Sequence, residues 1–439
     1  MKKGPSAPAS RANKKFSGKA IGAYLRRLGP GLVTGAADDD PSGIATYSQV
    51  GAQFGFAMLW TMLFTFPLMA ATQEICARIG RITGGGIAEN VRKHYPRPLL
   101  HGLVLLLCGA NIFNLSADVS AMAAAAQLLV GGPTAAYVVL FGAVSLLLEI
   151  YAPYASYVRY LKWLTLALFA YVATVFVIHV PWGQALRATV IPAVSLKPEY
   201  LLGLVAVLGT TISPYLFFWQ ASEEAEDVRR NRGESALKNK PDQAHEQFRR
   251  IAIDTRVGMG FSNLVAFFII LTAGVTLHNG HSSGIETSAD AAKALEPLAG
   301  RLAFLLFALG IIGTGLLAVP VLAGSAAYGV AETFKWRASL ETRPRQAPKF
   351  YAVLSGATIL GVLLNFWGLD PIRALYWSAI LNGITAVPFM FVLMSLANNR
   401  AVVGKFTLPG YLRILGWVAT GVMTVASFGV LWSTFCGGK

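Results

Sequence analysis

Three consecutive carboxylates, Asp38, Asp39 and Asp40, stand directly before Pro41-Ser42-Gly43 inside an apolar run that begins at Gly31. In a bilayer each such side chain costs roughly 2.5–3.5 kcal/mol at a helix centre, so their presence needs a reason. A cation supplies one; an anion or an amino-acid carboxylate would be repelled. Consecutive helical residues diverge by about 100°, so the three cannot all face one point. Asp40, against the proline, is the candidate ligand. Asp38 and Asp39 are left to line an entrance or to bond to a neighbouring helix. No nucleophile–base or metal–histidine constellation accompanies them, so the chain does not read as an enzyme. No cofactor motif is present either, since Thr83-Gly84-Gly85-Gly86 lacks the lysine and serine of a phosphate loop.

A second interruption mirrors the first. The run Gly209-Thr210-Thr211-Ile212-Ser213-Pro214-Tyr215 sits inside another apolar stretch. Proline within a helix removes a backbone hydrogen bond and clashes with the preceding turn, at about 3 kcal/mol or more. In lipid the freed carbonyls must find partners inside a bundle or along a wet cavity. Both points are therefore expected to break.

The elements that would carry these breaks are membrane helices. The chain has 439 residues, is 54% hydrophobic and only 13% charged, and has a mean hydropathy of +0.53. A soluble surface of this size needs more charge. Apolar runs long enough to cross a bilayer recur to the C-terminus. Eleven spans are expected: Gly31–Gln53, Gly55–Ala77, Leu99–Val130, Thr134–Ile150, Tyr157–Val180, Tyr200–Ala221, Ile253–Leu277, Leu302–Val330, Phe350–Trp367, Leu375–Leu396 and Leu412–Phe435.

The net charge of +15 does not point to nucleic acid. The basic residues sit in short segments between apolar runs: Arg78–Arg97, Arg159–Lys162, Glu223–Arg250, Lys335–Lys349 and Arg400–Lys405. The intervening connections, such as Gly131–Pro133, Thr276–Gly300 and Gly368–Pro371, are poorer in Lys and Arg. This alternation puts the basic loops and the N-terminus on the cytoplasmic side of an inner membrane. Residues 1–19 read as a disordered basic tail with no secretion-signal centre, followed by one transmembrane domain over 20–437. Three scattered cysteines, Cys76, Cys108 and Cys436, do not make a disulfide framework or a zinc site.

The two breaks fall five spans apart. Because five is odd, the halves have opposite topology: repeat one over about 29–180 and repeat two over about 200–397, with an extra helix over 412–435. Transporters of that layout bind substrate where the first helix of each repeat unwinds.

At this level of detail the chain resembles a known family. Gly29-Pro30-Gly31 followed by Asp40-Pro41-Ser42-Gly43-Ile44-Ala45-Thr46 is similar to the first helix of the Nramp divalent-metal transporters, with its Gly-Pro-Gly, Asp-Pro-Gly-Asn and Ala-Thr steps. Thr210-Thr211-Ile212-Ser213-Pro214-Tyr215 resembles that family's Ala-Thr-Val-Met-Pro-His run. Gln73–Pro96, Val387-Pro388-Phe389 and Asn399-Arg400 carry further likeness. The resemblance implies an all-α fold of the LeuT type, a 5+5 inverted repeat with helices one and six broken, working by alternating access.

It also implies a ligand set: Asp40, Gly43 in place of an asparagine, Ser213 in place of a methionine, and the carbonyls of Ala37 and Thr210. The departures from the pattern point to a different ion. A thioether is soft and favours transition metals, whereas a hydroxyl is hard. Glycine for asparagine is expected to widen the site, which suits an ion that keeps several of its waters, as Mg²⁺ does. The pattern therefore looks like the Nramp-related magnesium transporters, with Mn²⁺ also accepted. The family's histidines fall on Tyr215 and Gln220, and its acids on Leu115 and Asp118. With most proton-relay groups replaced, uptake without proton coupling is expected. Ala386 stands for a glutamine; Asn382, one turn earlier, is expected to bond between helices, as are Glu74, Asp118 and Glu149. The competing readings are a proton-coupled Mn²⁺ or transition-metal symporter, a non-transporting metal sensor and a sodium-coupled amino-acid carrier. The partners expected are the divalent ion and the bilayer, and a monomer suffices.

Overall fold

The computed structural model describes residues 30–152, 167–231, 233–278, 285, 287–340, 342–368 and 370–435. The expected tail at 1–19, the loop at 159–162 and much of the fifth span lie outside these residues. Twelve long segments carry the fold: α1 (Pro30–Asp38), α2 (Pro41–Phe54), α3 (Leu59–Thr83), α4 (Arg97–Val130), α5 (Thr134–Tyr151), α6 (Pro198–Thr211), α7 (Pro214–Arg230), α8 (Ala244–Thr276), α9 (Ala303–Thr333), α10 (Pro348–Leu364), α11 (Pro371–Asn398) and α12 (Gly410–Phe435). Ten of the eleven expected spans match these helices, with α1 and α2 making the first and α6 and α7 the sixth. Among the described residues, nine helical stretches are long and apolar enough to cross a membrane, one of them running from Pro41 through α3 to Thr83.

Both expected breaks are present. α1 stops at Asp38, and Asp40 is extended (φ −71°, ψ 169°) before α2 restarts at Pro41. α6 stops at Thr211, Ile212 (φ −124°, ψ 61°) and Ser213 (φ −83°, ψ 133°) leave helical space, and α7 restarts at Pro214. In each case proline takes the first turn of the second half, where its missing N–H costs nothing. The first halves are docked by close backbone approach. A Cβ at Gly35 of α1 would lie 2.4 Å from the Gly258 backbone of α8, and one at Gly209 of α6 would lie 2.1 Å from the Ala379 carbonyl of α11. Small residues here let the broken helices lie directly against their neighbours.

The face carrying the basic loops is tied together by ion pairs. Arg81, at the end of α3 and wholly buried, bonds to Asp227 of α7 at 3.0 Å and to Glu234 in the following loop. Arg250 of α8 reaches Glu224 of α7 at 2.6 Å. The main chain joins in, with Leu237 N donating to Arg81 O and Lys238 N to Ile82 O, both at 3.2 Å. Polar charge at this depth is stable only because each member has a partner.

A cavity of about 590 Å³ opens on the opposite face, lined by Ser120, Gln127, Thr287, Asn365 and Asp370 among others. Ser120 lies six residues along α4 from Asn114, or about 9 Å at the helical rise.

Candidate metal site

Pro41 and Pro214 determine which oxygens are released at the breaks. A helical carbonyl normally accepts from the N–H four residues on; proline has none. The carbonyls so deprived are those of Ala37 and Thr210. Ala37 O is instead met by the Tyr215 hydroxyl at 3.1 Å. Thr210 O is met by the Ser213 hydroxyl at 3.0 Å, which also reaches Gly209 O at 2.6 Å. Each half-helix C-terminus thus presents a main-chain oxygen whose in-helix partner has been removed.

Asp40 sits between them, almost wholly buried. Its Oδ1 is held within its own turn, accepting from Ser42 Oγ and from Gly43 N, each at 2.7 Å, so it caps α2. Its Oδ2 faces other helices, accepting from Tyr215 Oη of α7 at 3.2 Å and from Asn114 Nδ2 of α4 at 3.3 Å. Gly43 closes the circuit: a Cβ on it would lie 3.1 Å from Thr210 Oγ1 and 3.4 Å from Asp38 O. Ala37, Asp40, Gly43, Thr210 and Ser213 therefore lie in one continuous cluster.

Several expectations change here. Glycine at 43 does not open the space around it, because the Thr210 hydroxyl and the Tyr47 ring, 3.4 Å from the same point, fill it. The Ser213 hydroxyl spends its proton on two carbonyls of its own helix end, leaving only lone pairs for a cation. Asp118, expected to pair with a neighbouring helix, is wholly buried and faces the Ser42 N–H at the start of α2. The Asn382 amide nitrogen is buried without a hydrogen-bond partner. Asn114 and the role of Tyr215 were missed. The signal that marks Asn114 is its spacing with Asn111 and Asp118, three and four residues, which puts a polar stripe on one face of an apolar helix; Tyr215 is legible in the sequence only as a replaced histidine.

The other acids behave as expected. Asp38 and Asp39 turn to Ser262 of α8, at 2.5 and 3.0 Å. Asp254 of the same helix caps the start of α1 through Gly31 N at 2.8 Å. Glu74 pairs with Arg78 at 2.8 Å and accepts from Tyr411 at 3.0 Å, and Glu149 accepts from Thr358 at 3.0 Å. Among the described residues no three His, Cys, Asp or Glu side chains converge to hold a metal ion. A cation at Asp40 would rest on one carboxylate and neutral oxygens.

Two broken helices packed around a buried carboxylate define a polytopic membrane protein of the broken-helix transporter fold. A family model described as natural resistance-associated macrophage protein-like matches residues 31–433, and the chain belongs to that family, Nramp. It is 25% identical over 426 residues to the divalent metal cation transporter MntH of Klebsiella pneumoniae strain 342, covering 94% of this chain and 96% of that one. It is 23% identical over 443 residues to the protein of the same name from Pectobacterium carotovorum, covering 98% and 100%. Among solved structures, the Eremococcus coleocola manganese transporter superposes with a TM-score of 0.71 at 17% identity, over 98% of this chain and 91% of that one. Mhp1 in its inward-facing conformation superposes at 0.50 and 13% identity, over 94% and 92%. These superpositions confirm the all-α, LeuT-type architecture.

Proposed function

We propose that this protein is a secondary transporter that carries a hard divalent cation, Mg²⁺ and also Mn²⁺, across the cytoplasmic membrane by alternating access. The observation that carries the reading is Asp40: a buried carboxylate whose outward oxygen shares the Tyr215 hydroxyl with the Ala37 carbonyl freed by Pro41. Membership of Nramp and relatives named divalent metal cation transporters support a metal ion as substrate. The carboxylate, carbonyl and hydroxyl oxygens near Asp40, with Ser213 where a sulfur ligand would favour transition metals, support a hard one.

In this reading the N-terminus and basic loops are cytoplasmic. The Arg81 cluster then ties the cytoplasmic side together, and the 590 Å³ cavity lies on the outer side. The two repeats run over about 29–180 and 200–397. Transport without proton coupling follows from Tyr215 and Gln220 standing where the resembled family has histidines. The second reading, a proton-coupled Mn²⁺ symporter, is favoured by one observation, the buried carboxylate of Asp118 one turn from Asn114.

Proteoliposomes loaded with a Mg²⁺ indicator and a pH indicator separate these. Mg²⁺ entry with a steady lumenal pH is expected. Cd²⁺ or Fe²⁺ entry without Mg²⁺ entry would overturn the selectivity, and acidification in step with metal entry would establish the symporter.

A further inference from the structure

We propose that Tyr215 and Asn114 are specificity-determining residues, whose oxygens accept hydrogen bonds from water carried on the cation. This rests on the cation reading above and names the side chains that would distinguish a hydrated ion from a bare one.

The argument is a count of donors and acceptors around Asp40 Oδ2. The Tyr215 hydroxyl owns one hydrogen, yet two acceptors lie within its reach, Ala37 O at 3.1 Å and Asp40 Oδ2 at 3.2 Å. It can satisfy only one of them fully. The Asn114 amide gives its nitrogen to Asp40 Oδ2 at 3.3 Å, while its Oδ1 is buried with no partner. Buried acceptors outnumber donors here, and unpaired buried polar groups are costly.

Water bound to a cation directs its oxygen at the metal and both hydrogens outward. A hydrated ion therefore presents only donors. With Asp40 Oδ2 and Ala37 O as ligands to the ion itself, its remaining waters would give a hydrogen to the phenol oxygen and to Asn114 Oδ1, filling the deficit that the protein leaves. A dehydrated ion offers no hydrogens and gains nothing from the phenol or the carboxamide as outer partners. Mg²⁺ holds its water shell most firmly among the candidate ions, so these two side chains would matter most for it.

Tyr215→Phe removes one oxygen and keeps the ring. In proteoliposomes of the full-length protein, the initial rate of Mg²⁺ entry is measured against Mg²⁺ concentration, and Mn²⁺ entry in parallel. KM for Mg²⁺ is expected to rise about tenfold, the worth of one hydrogen bond, with Vmax changed less than twofold. KM for Mn²⁺ should rise less than threefold, and Asn114→Ala should shift the same ratio in the same direction. An unchanged Mg²⁺ KM in Tyr215→Phe, or equal rises for the two ions, would overturn the inference while leaving the transport reading intact. A wild-type protein that moves neither ion would instead remove the reading on which it rests.

Discussion

Asp40→Asn is expected to lower divalent-cation uptake at least 100-fold while leaving the protein folded. The substitution keeps an oxygen for Ser42 Oγ and Gly43 N, so the cap on α2 survives, and it changes the side-chain volume little. What it removes is the negative charge. Asp40 is the carboxylate joined to the freed Ala37 carbonyl through Tyr215, while Asp38 and Asp39 are turned to Ser262. Replacing groups that merely orient a metal's ligands already costs roughly 10–100-fold in affinity, so loss of the charged ligand itself must cost more. Asp40→Ala should be equally inactive, and also less stable by about 1 kcal/mol from the lost cap. A thermal melt of both variants in detergent, beside their flux, separates the two effects. Flux retained in Asp40→Asn would mean that Asp40 is only a cap.

The second large effect is a change of preference in Ser213→Met. A thioether at this position adds a soft ligand beside the Thr210 carbonyl and removes the hydroxyl that now donates to it. Uptake of Cd²⁺ relative to Mg²⁺ is expected to rise about tenfold or more. Part of any loss in Mg²⁺ flux comes from the lost bond of the one hydroxyl hydrogen shared between Gly209 O and Thr210 O, about 1 kcal/mol in all. Ser213→Ala loses the same bond without adding sulfur and is the control. If Ala and Met shift the Cd²⁺-to-Mg²⁺ ratio equally, softness plays no part.

Much of this architecture was legible in the sequence because it rests on local rules. A proline at 41 or at 214 can only begin a helix or break one, and three aspartates in lipid needed an interior reason. The identities of the freed carbonyls, Ala37 and Thr210, follow from counting four residues back from each proline. The divergence of the three acids also held, with Asp40 facing α4 and α7 and its two neighbours facing α8.

What was not legible depends on distant elements meeting. Asn114 stands 74 residues from Asp40, on a polar stripe with Asn111 and Asp118 that shows a face but not what it meets. Tyr215 looked like a lost histidine because its type was compared without its position. In the fold its hydroxyl lies between the carboxylate and the carbonyl. The space beside Gly43 was misjudged for the same reason, since the residues that fill it, Thr210 and Tyr47, come from another helix and from the next turn. Asp118 shows the limit from the other side: its burial is legible in the sequence, but the Ser42 N–H that it faces on α2 is not.

Mn²⁺ diffracts anomalously and stands in for the transported ion, so crystals of the protein grown with it locate the site without assumptions about ligands. A single anomalous peak next to Asp40 Oδ2 and the Ala37 carbonyl, absent from Asp40→Asn crystals, is the predicted outcome. A peak centred elsewhere, or one that survives the loss of the Asp40 charge, would contradict it.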